Sequence, residues 1–417
     1  DHRDLHLSLR RQRQMCIRDR GVYETLFKFA DATNKYMGDG KTHPWAQGYP
    51  ITSQLPNGPA LPDTINLDTT YDLKYPKATG EIEPRTAISD YYNNHYEAGI
   101  TPDNVGVFAG GRPGLMACMT FLESDICVAL EETEYTPYWD MFRLLDRKVH
   151  FIPSNIDNNF RPSDEDYDIE PVEDTKRVFL LKSNPCNPTG VALEPDRLRK
   201  IVKKYSQEGK GALFDEAYEF YNDPEPMSAI QYVDNIDDTD IFIAGAATKG
   251  LQVPGMRVGW IIAAKKHIEL FRNYSSIGMG GVSRASQLYV TQLLEKDRVS
   301  QARQAVCNFF LSQRKRYEKG LSDLGFKLYT GCGGFYHWGL LPNGISADEF
   351  NERLFKYDAG ILPGYLCDMT RDGESSSPMD NFIRFSFGPL DASSYESDMA
   401  VSYTHLRAHE TEADLVC

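Results

Sequence analysis

The feature that most constrains this chain is a rhythm of short apolar runs alternating with text of helical spacing. NVGVFAG (104–110), ICVALEE (126–132), VHFIP (149–153), RVFLLKS (177–183), GALFDEA (211–217) and DIFIAGAA (240–247) are brief and rich in Val, Ile, Leu or Phe. RTAISDYYNNHYEAG (85–99), RPGLMACMTFLES (112–124) and EPDRLRKIVKKYSQEG (194–209) carry apolar residues three and four positions apart. Strands alternating with helices predict an α/β fold, a mostly parallel sheet covered on both faces. In such sheets ligands are met at the carboxyl ends of the strands.

The rest of the chain sorts around that core. Residues 300–325 form a long amphipathic stretch, followed by GGFYHWGLL (333–341), helical text near 347–357, GILPG (360–364) and FIRFSFG (382–388). This predicts a smaller α+β C-terminal domain over 296–400, after a large domain over 56–295 and an N-terminal arm over 21–55. Residues 1–20 are Arg-dense and 401–417 unpatterned; both look non-native and are expected to stand outside the fold. Asp1, Asp4 and Asp19 argue against a transit peptide at the start. The 417 residues carry a formal charge of −15, the wrong sign for nucleic acid. No apolar run reaches membrane-span length. Eight cysteines without a CxxC pair read as free thiols, and with no secretion signal a cytoplasmic location is expected.

Four segments carry chemistry, each at the end of an apolar run. In SNPCNPTG (183–190) two Asn-Pro steps make a rigid turn that aims a side-chain amide. In LFDEAY (213–218), Asp215 ends a buried strand and needs a cation or hydrogen-bond donors. In AATKGLQVPGMRVGW (246–260), Lys249 stands among small residues. Desolvation there depresses its pKa, as a Schiff-base lysine requires. Arg257, eight positions on, has the bidentate fork that suits a phosphate. In FAGGRPGL (108–115) a Gly pair opens a helix, whose first amides make an anion seat. No GxGxxG occurs, which counts against a dinucleotide-linked dehydrogenase.

Taken in order, with a late IRFSF, these segments resemble the class I/II aminotransferases of the pyridoxal-phosphate-dependent fold type I, over roughly 43–390. The resemblance implies pyridoxal 5'-phosphate as cofactor and an L-amino acid and a 2-oxo acid as substrates. Lys249 would hold the cofactor as a Schiff base and shuttle a proton, and Asp215 would pair with the pyridine nitrogen. Tyr218 and Asn187 would bond the ring oxygen, while Gly111, Arg112 and Arg257 would hold the phosphate. Tyr135, in EYTPY (134–138), would stack on the ring. Arg384, in FIRFSFG, would grip the substrate α-carboxylate, beside Asn187, with Gly48 of WAQGYP (45–50) on the substrate side. Tyr75, in LKYPKATG (73–80), would reach the phosphate of a neighbouring subunit, which implies a homodimer with a shared site. No metal is implied.

Two positions depart from the family pattern. Ala246 stands where many relatives have a phosphate-binding Ser, with Thr248 available to compensate. Arg112 can contact the phosphate, an acidic group of the substrate, or solvent. The same cofactor contacts serve a lyase, oxidase or cyclase acting, for instance, on a guanidino amino acid. A non-catalytic sensing domain fused to a DNA-binding module finds no space in 21–50.

Overall fold

The computed structural model describes residues 21–172, 174–372 and 376–413. Seven strands form the main sheet: β1 (Val105–Phe108), β2 (Ile126–Glu131), β3 (Val149–Ile152), β4 (Arg177–Ser183), β5 (Lys210–Asp215), β6 (Ile241–Ala246) and β7 (Gly259–Ile262). Their order is β1-β7-β6-β5-β4-β2-β3. β2 through β6 pair in parallel, and β7 runs antiparallel to both β1 and β6. β4 pairs through Ser183↔Asp215 and β5 through Asp215↔Ala244. The register therefore brings the ends of three strands, and the three motifs that follow them, to one rim.

β4, β5 and β6 are buried almost throughout, which is why their sequences read as continuous apolar runs. The helix Pro195–Tyr205 buries Leu198, Ile201, Val202 and Tyr205 on one face and leaves its lysines outside. Two apolar clusters pack on the two faces of the sheet.

A second sheet has the order β10-β11-β9-β8, from β8 (Lys327–Leu328), β9 (Tyr336–Leu340), β10 (Leu362–Pro363) and β11 (Phe382–Ser386). It pairs antiparallel throughout, with Arg384 opposite Trp338 and Ser386 opposite Tyr336. The helix Lys296–Asp323 leads into it. The arm lies across it: Ser386 N–H donates to the Trp45 carbonyl and Ile51 N–H to that of Gly388. Gly190, at φ +68, closes against the backbone of Gly333, where a side chain would clash.

Residues 401–413, expected outside the fold, continue the helix that starts at Tyr395, and Ser402 in it is buried. Residues 1–20 and 414–417 lie outside the described residues. Among the described residues no helix is long and apolar enough to cross a membrane, and the six cysteines are free thiols.

Candidate active site

The motif-bearing strand ends open on a cavity of about 320 Å³, lined by Gly111, Arg112, Tyr135, Asn187, Asp215, Tyr218, Lys249 and Arg257. A contiguous space of about 180 Å³ shares Arg112, Tyr135, Asn187, Tyr218 and Lys249 and adds Gly48 and Arg384. Of the residues expected at the site, only Tyr75 lies elsewhere, 97% exposed on the surface.

Lys249 follows β6 on a short turn whose carbonyl accepts a bond from the Tyr221 hydroxyl at 2.8 Å. Its amine donates to the Gly48 carbonyl. Burial pushes the amine down to about 7, helped by the charges of Arg384, Arg112 and Arg257 and opposed by Asp215. The lysine is thus largely neutral just above neutral pH, fit to act as a nucleophile or proton acceptor.

Asp215, at the end of β5, is buried, and burial raises its pKa. Tyr138 Oη donates to its Oδ2 at 2.8 Å and the Ala217 amide to its Oδ1 at 3.1 Å. These bonds hold the carboxylate at the cavity wall and favour its ionised form. Tyr138 escapes sequence reading because it lies 77 residues from Asp215; the one available hint is its place in EYTPY, beside Tyr135.

Behind this wall Glu134 accepts from the Ser183 hydroxyl at 2.5 Å and from the amides of Ser183 and Tyr135. One buried carboxylate therefore fixes both the start of SNPCNPTG and the backbone of Tyr135. Lys182 neutralises it jointly with Glu131, at 3.7 and 2.8 Å. Glu131, Glu134 and Cys186 converge closely enough to suggest a metal site, and the Lys182 ammonium already supplies the positive charge there.

The anion seat is built as its sequence suggests. The helix Gly111–Phe121 begins at the cavity, capped by Gly110 at φ +95. A Cβ at Gly110 would collide with the Arg257 guanidinium, so glycine lets the arginine close over the helix N-terminus. Arg112 turns toward the cavity and donates through Nε to the Tyr135 hydroxyl at 2.8 Å, with Tyr23 at 3.4 Å. Arg384 is buried in β11; it donates to Asn187 Oδ1 at 2.9 Å and the Ala46 carbonyl at 2.8 Å, and its Nε has no partner. Neither Arg112 nor Arg384 pairs with an acid among the described residues.

These features fit pyridoxal 5'-phosphate. The cavity offers a depressed lysine for the aldehyde, a buried carboxylate for a pyridinium, a helix N-terminus with Arg257 for the phosphate, and an unpaired buried guanidinium for a carboxylate.

Comparison with known proteins agrees. The sequence model described as "Aminotransferase class I and II" matches residues 49–391. An aspartate aminotransferase of Pyrococcus horikoshii is 25% identical over 299 residues, covering 70% of this chain and 74% of that protein. An LL-diaminopimelate aminotransferase of Dehalococcoides mccartyi is 24% identical, covering 70% and 75%. Among solved structures, an aminotransferase from Mycobacterium tuberculosis shares the fold with a TM-score of 0.76 at 18% identity, covering 93% of this chain and 96% of that one. From its sequence match and its fold, this chain belongs to the class I and II aminotransferases.

Proposed function

We propose that the preferred substrates are amino acids bearing a second carboxylate, with Arg384 taking the α-carboxylate and Arg112 the side-chain one. One observation carries this reading: two guanidiniums without acidic partners face one continuous cavity that also holds the Lys249 amine. A buried or half-buried arginine without an acid is costly, and a bound carboxylate removes that cost. The relatives named for aspartate and LL-diaminopimelate also act on dicarboxylic amino acids.

The protein is a pyridoxal 5'-phosphate-dependent aminotransferase, moving an amino group from an amino acid to a 2-oxo acid. When bound, the cofactor carries the amino group between the two substrates and delocalises the electrons released at Cα. The protein supplies the rest. Lys249 takes the proton from the substrate Cα and returns it, the task for which a pKa near 7 is suited. Asp215, steadied by Tyr138, holds a proton on the ring nitrogen. Asn187 and Tyr218 would hold the ring oxygen, and Tyr135 would pack against the ring. Gly111 and Arg257 hold the phosphate, with Thr248 at the cavity wall near Ala246. Gly48 turns its carbonyl to the Lys249 amine from the substrate side. Family membership favours this transfer over elimination or cyclisation.

A homodimer completes the proposal, with Tyr75 reaching the neighbouring subunit's phosphate. Free thiols throughout the described residues suit a reducing cytoplasm.

The test is a panel of amino donors, read by the spectral change of the loaded enzyme. Aspartate and glutamate should react well ahead of alanine or leucine. Arg112→Gln should cut kcat/KM for the acidic donors by about 10–100-fold, the worth of a charge-assisted pair, and barely change the neutral ones. Equal losses for both classes would refute Arg112 as a side-chain reader.

A further inference from the structure

Arg384 and Tyr218 are joined by a closed ring of polar contacts containing a residue that no motif singled out. Tyr336 opens β9, is fully buried, and lines the same cavity as Gly48, Lys249 and Arg384. Its hydroxyl lies 2.5 Å from that of Tyr218, and the Arg384 guanidinium carbon sits 4.2 Å from its ring centre. Arg384 also bonds Asn187 Oδ1, which turns the Asn187 amide nitrogen toward the Tyr218 hydroxyl at 3.4 Å.

Donor counting, with the Arg384 contact to the Tyr336 ring, bears on where the Tyr218 proton goes. A phenol hydroxyl has one proton to give and two acceptor sites. Asn187 Nδ2 has only protons to offer, so it occupies one acceptor site of Tyr218. Burial pushes both phenols up and the Arg384 charge opposes the rise at both, but the guanidinium lies directly on the Tyr336 ring, where a cation makes the hydroxyl the better donor. The more acidic partner of a phenol pair donates. With Tyr336 and Asn187 both donating to it, Tyr218 can release its own hydrogen bond only into the cavity.

We propose that Tyr336 is a positioning residue of the transfer reaction: its hydroxyl donates to Tyr218 and commits the Tyr218 proton to the cofactor's ring oxygen, while its ring seats Arg384. This rests on the reading of Tyr218 as the donor to that oxygen. Tyr336 thereby gives Arg384 a second link to Tyr218, beside the one through Asn187.

The test is an absorbance titration of the enzyme loaded with pyridoxal 5'-phosphate. A weaker Tyr218 donor leaves the ring oxygen more basic, so Tyr336→Phe should raise the midpoint by about 0.5–1 pH unit, the worth of one hydrogen bond. KM for the amino donor should stay within about twofold, because the ring remains over Arg384. Tyr336→Leu, which removes ring and hydroxyl, should shift the midpoint and also raise KM several-fold. In a Tyr218→Phe background, Tyr336→Phe should add no further shift. A shift with Tyr218→Phe but none with Tyr336→Phe, or additive shifts in the pair, would overturn the role of Tyr336 alone. No shift with Tyr218→Phe would overturn the reading of Tyr218 and this proposal with it.

Discussion

At the scale of single residues, the site separates its charges by burial and spacing. Lys249 is held down by desolvation and by three guanidiniums, while Asp215 is the acid that opposes them. The sign of the resulting pH dependence is fixed. A depressed amine is protonated below about 7 and neutral above it, and only the neutral form attacks an aldehyde. Capture of pyridoxal 5'-phosphate by protein stripped of cofactor should therefore accelerate roughly tenfold per pH unit up to about 7 and then level off. An ordinary lysine would keep gaining until its usual 10.5. Replacing Arg384 by Met removes the largest of the opposing charges and should move the plateau to higher pH. Stopped-flow absorbance reads both effects; a rate that climbs without a plateau into the ordinary lysine range would show that the site does not depress the amine.

At the scale of elements, the arm is a strap whose carbonyls face the chemistry, and Asp398 anchors it. This buried carboxylate accepts from His43 Nδ1 at 2.6 Å, Trp45 Nε1 at 3.1 Å, Tyr317 Oη at 2.5 Å and Ser394 Oγ at 2.8 Å. Between its anchors the strap offers the Ala46 carbonyl to Arg384 and the Gly48 carbonyl to Lys249. Asp398→Asn loses the charge and one acceptor oxygen. It should destabilise the protein by about 1.5–3 kcal/mol and raise KM for the amino donor, since Arg384 loses a fixed partner. Thermal melts and steady-state kinetics check this; an unchanged KM would mean the strap is held by its backbone bonds alone. Other elements differ in how far their sequences announce them. β4 coincides with RVFLLKS, because a strand buried on both faces is an unbroken apolar run. β7 is four residues long and begins two residues after Arg257, so the sequence marks it as a turn's sequel rather than a strand. The helix Pro137–Leu145 has Tyr, Trp and Phe on its buried face, and its text blends with the EYTPY motif before it. The site follows the same rule. Asn187 and Lys249 are visible because each stands just beyond a strand, Asp215 because it ends one, and Arg257 because it follows Lys249 at a fixed spacing. Tyr138 and Tyr336 are not, because their partners lie 77 and 118 residues away in sequence and meet them only across the assembled sheets.

At the scale of the whole molecule, one surface remains to be accounted for. Leu73, Tyr75 and Ile277 are 72%, 97% and 83% exposed. Their segments adjoin, since a Cβ at Gly281 would stand 2.7 Å from the Pro76 ring and 3.2 Å from the Lys77 carbonyl. Large exposed apolar side chains on adjoining segments mark an interaction surface, and Tyr75 lines no part of its own chain's cavity. A two-fold dimer would give that face a self-complementary partner and would carry Tyr75 to the other site. Sedimentation should then report twice the monomer mass, and Tyr75→Ala should lose cofactor affinity while keeping its melting temperature. Subunit mixing is decisive. In the proposed dimer, Tyr75→Ala would lack a group donated to the neighbour, and Lys249→Ala would lack one used at home. A hybrid of the two therefore contains one complete site, and equal mixing should restore about a quarter of wild-type activity from two inactive or crippled parents. A mixture no more active than the average of its parents would mean that each chain completes its own site, and that the exposed tyrosine serves something other than catalysis in a partner.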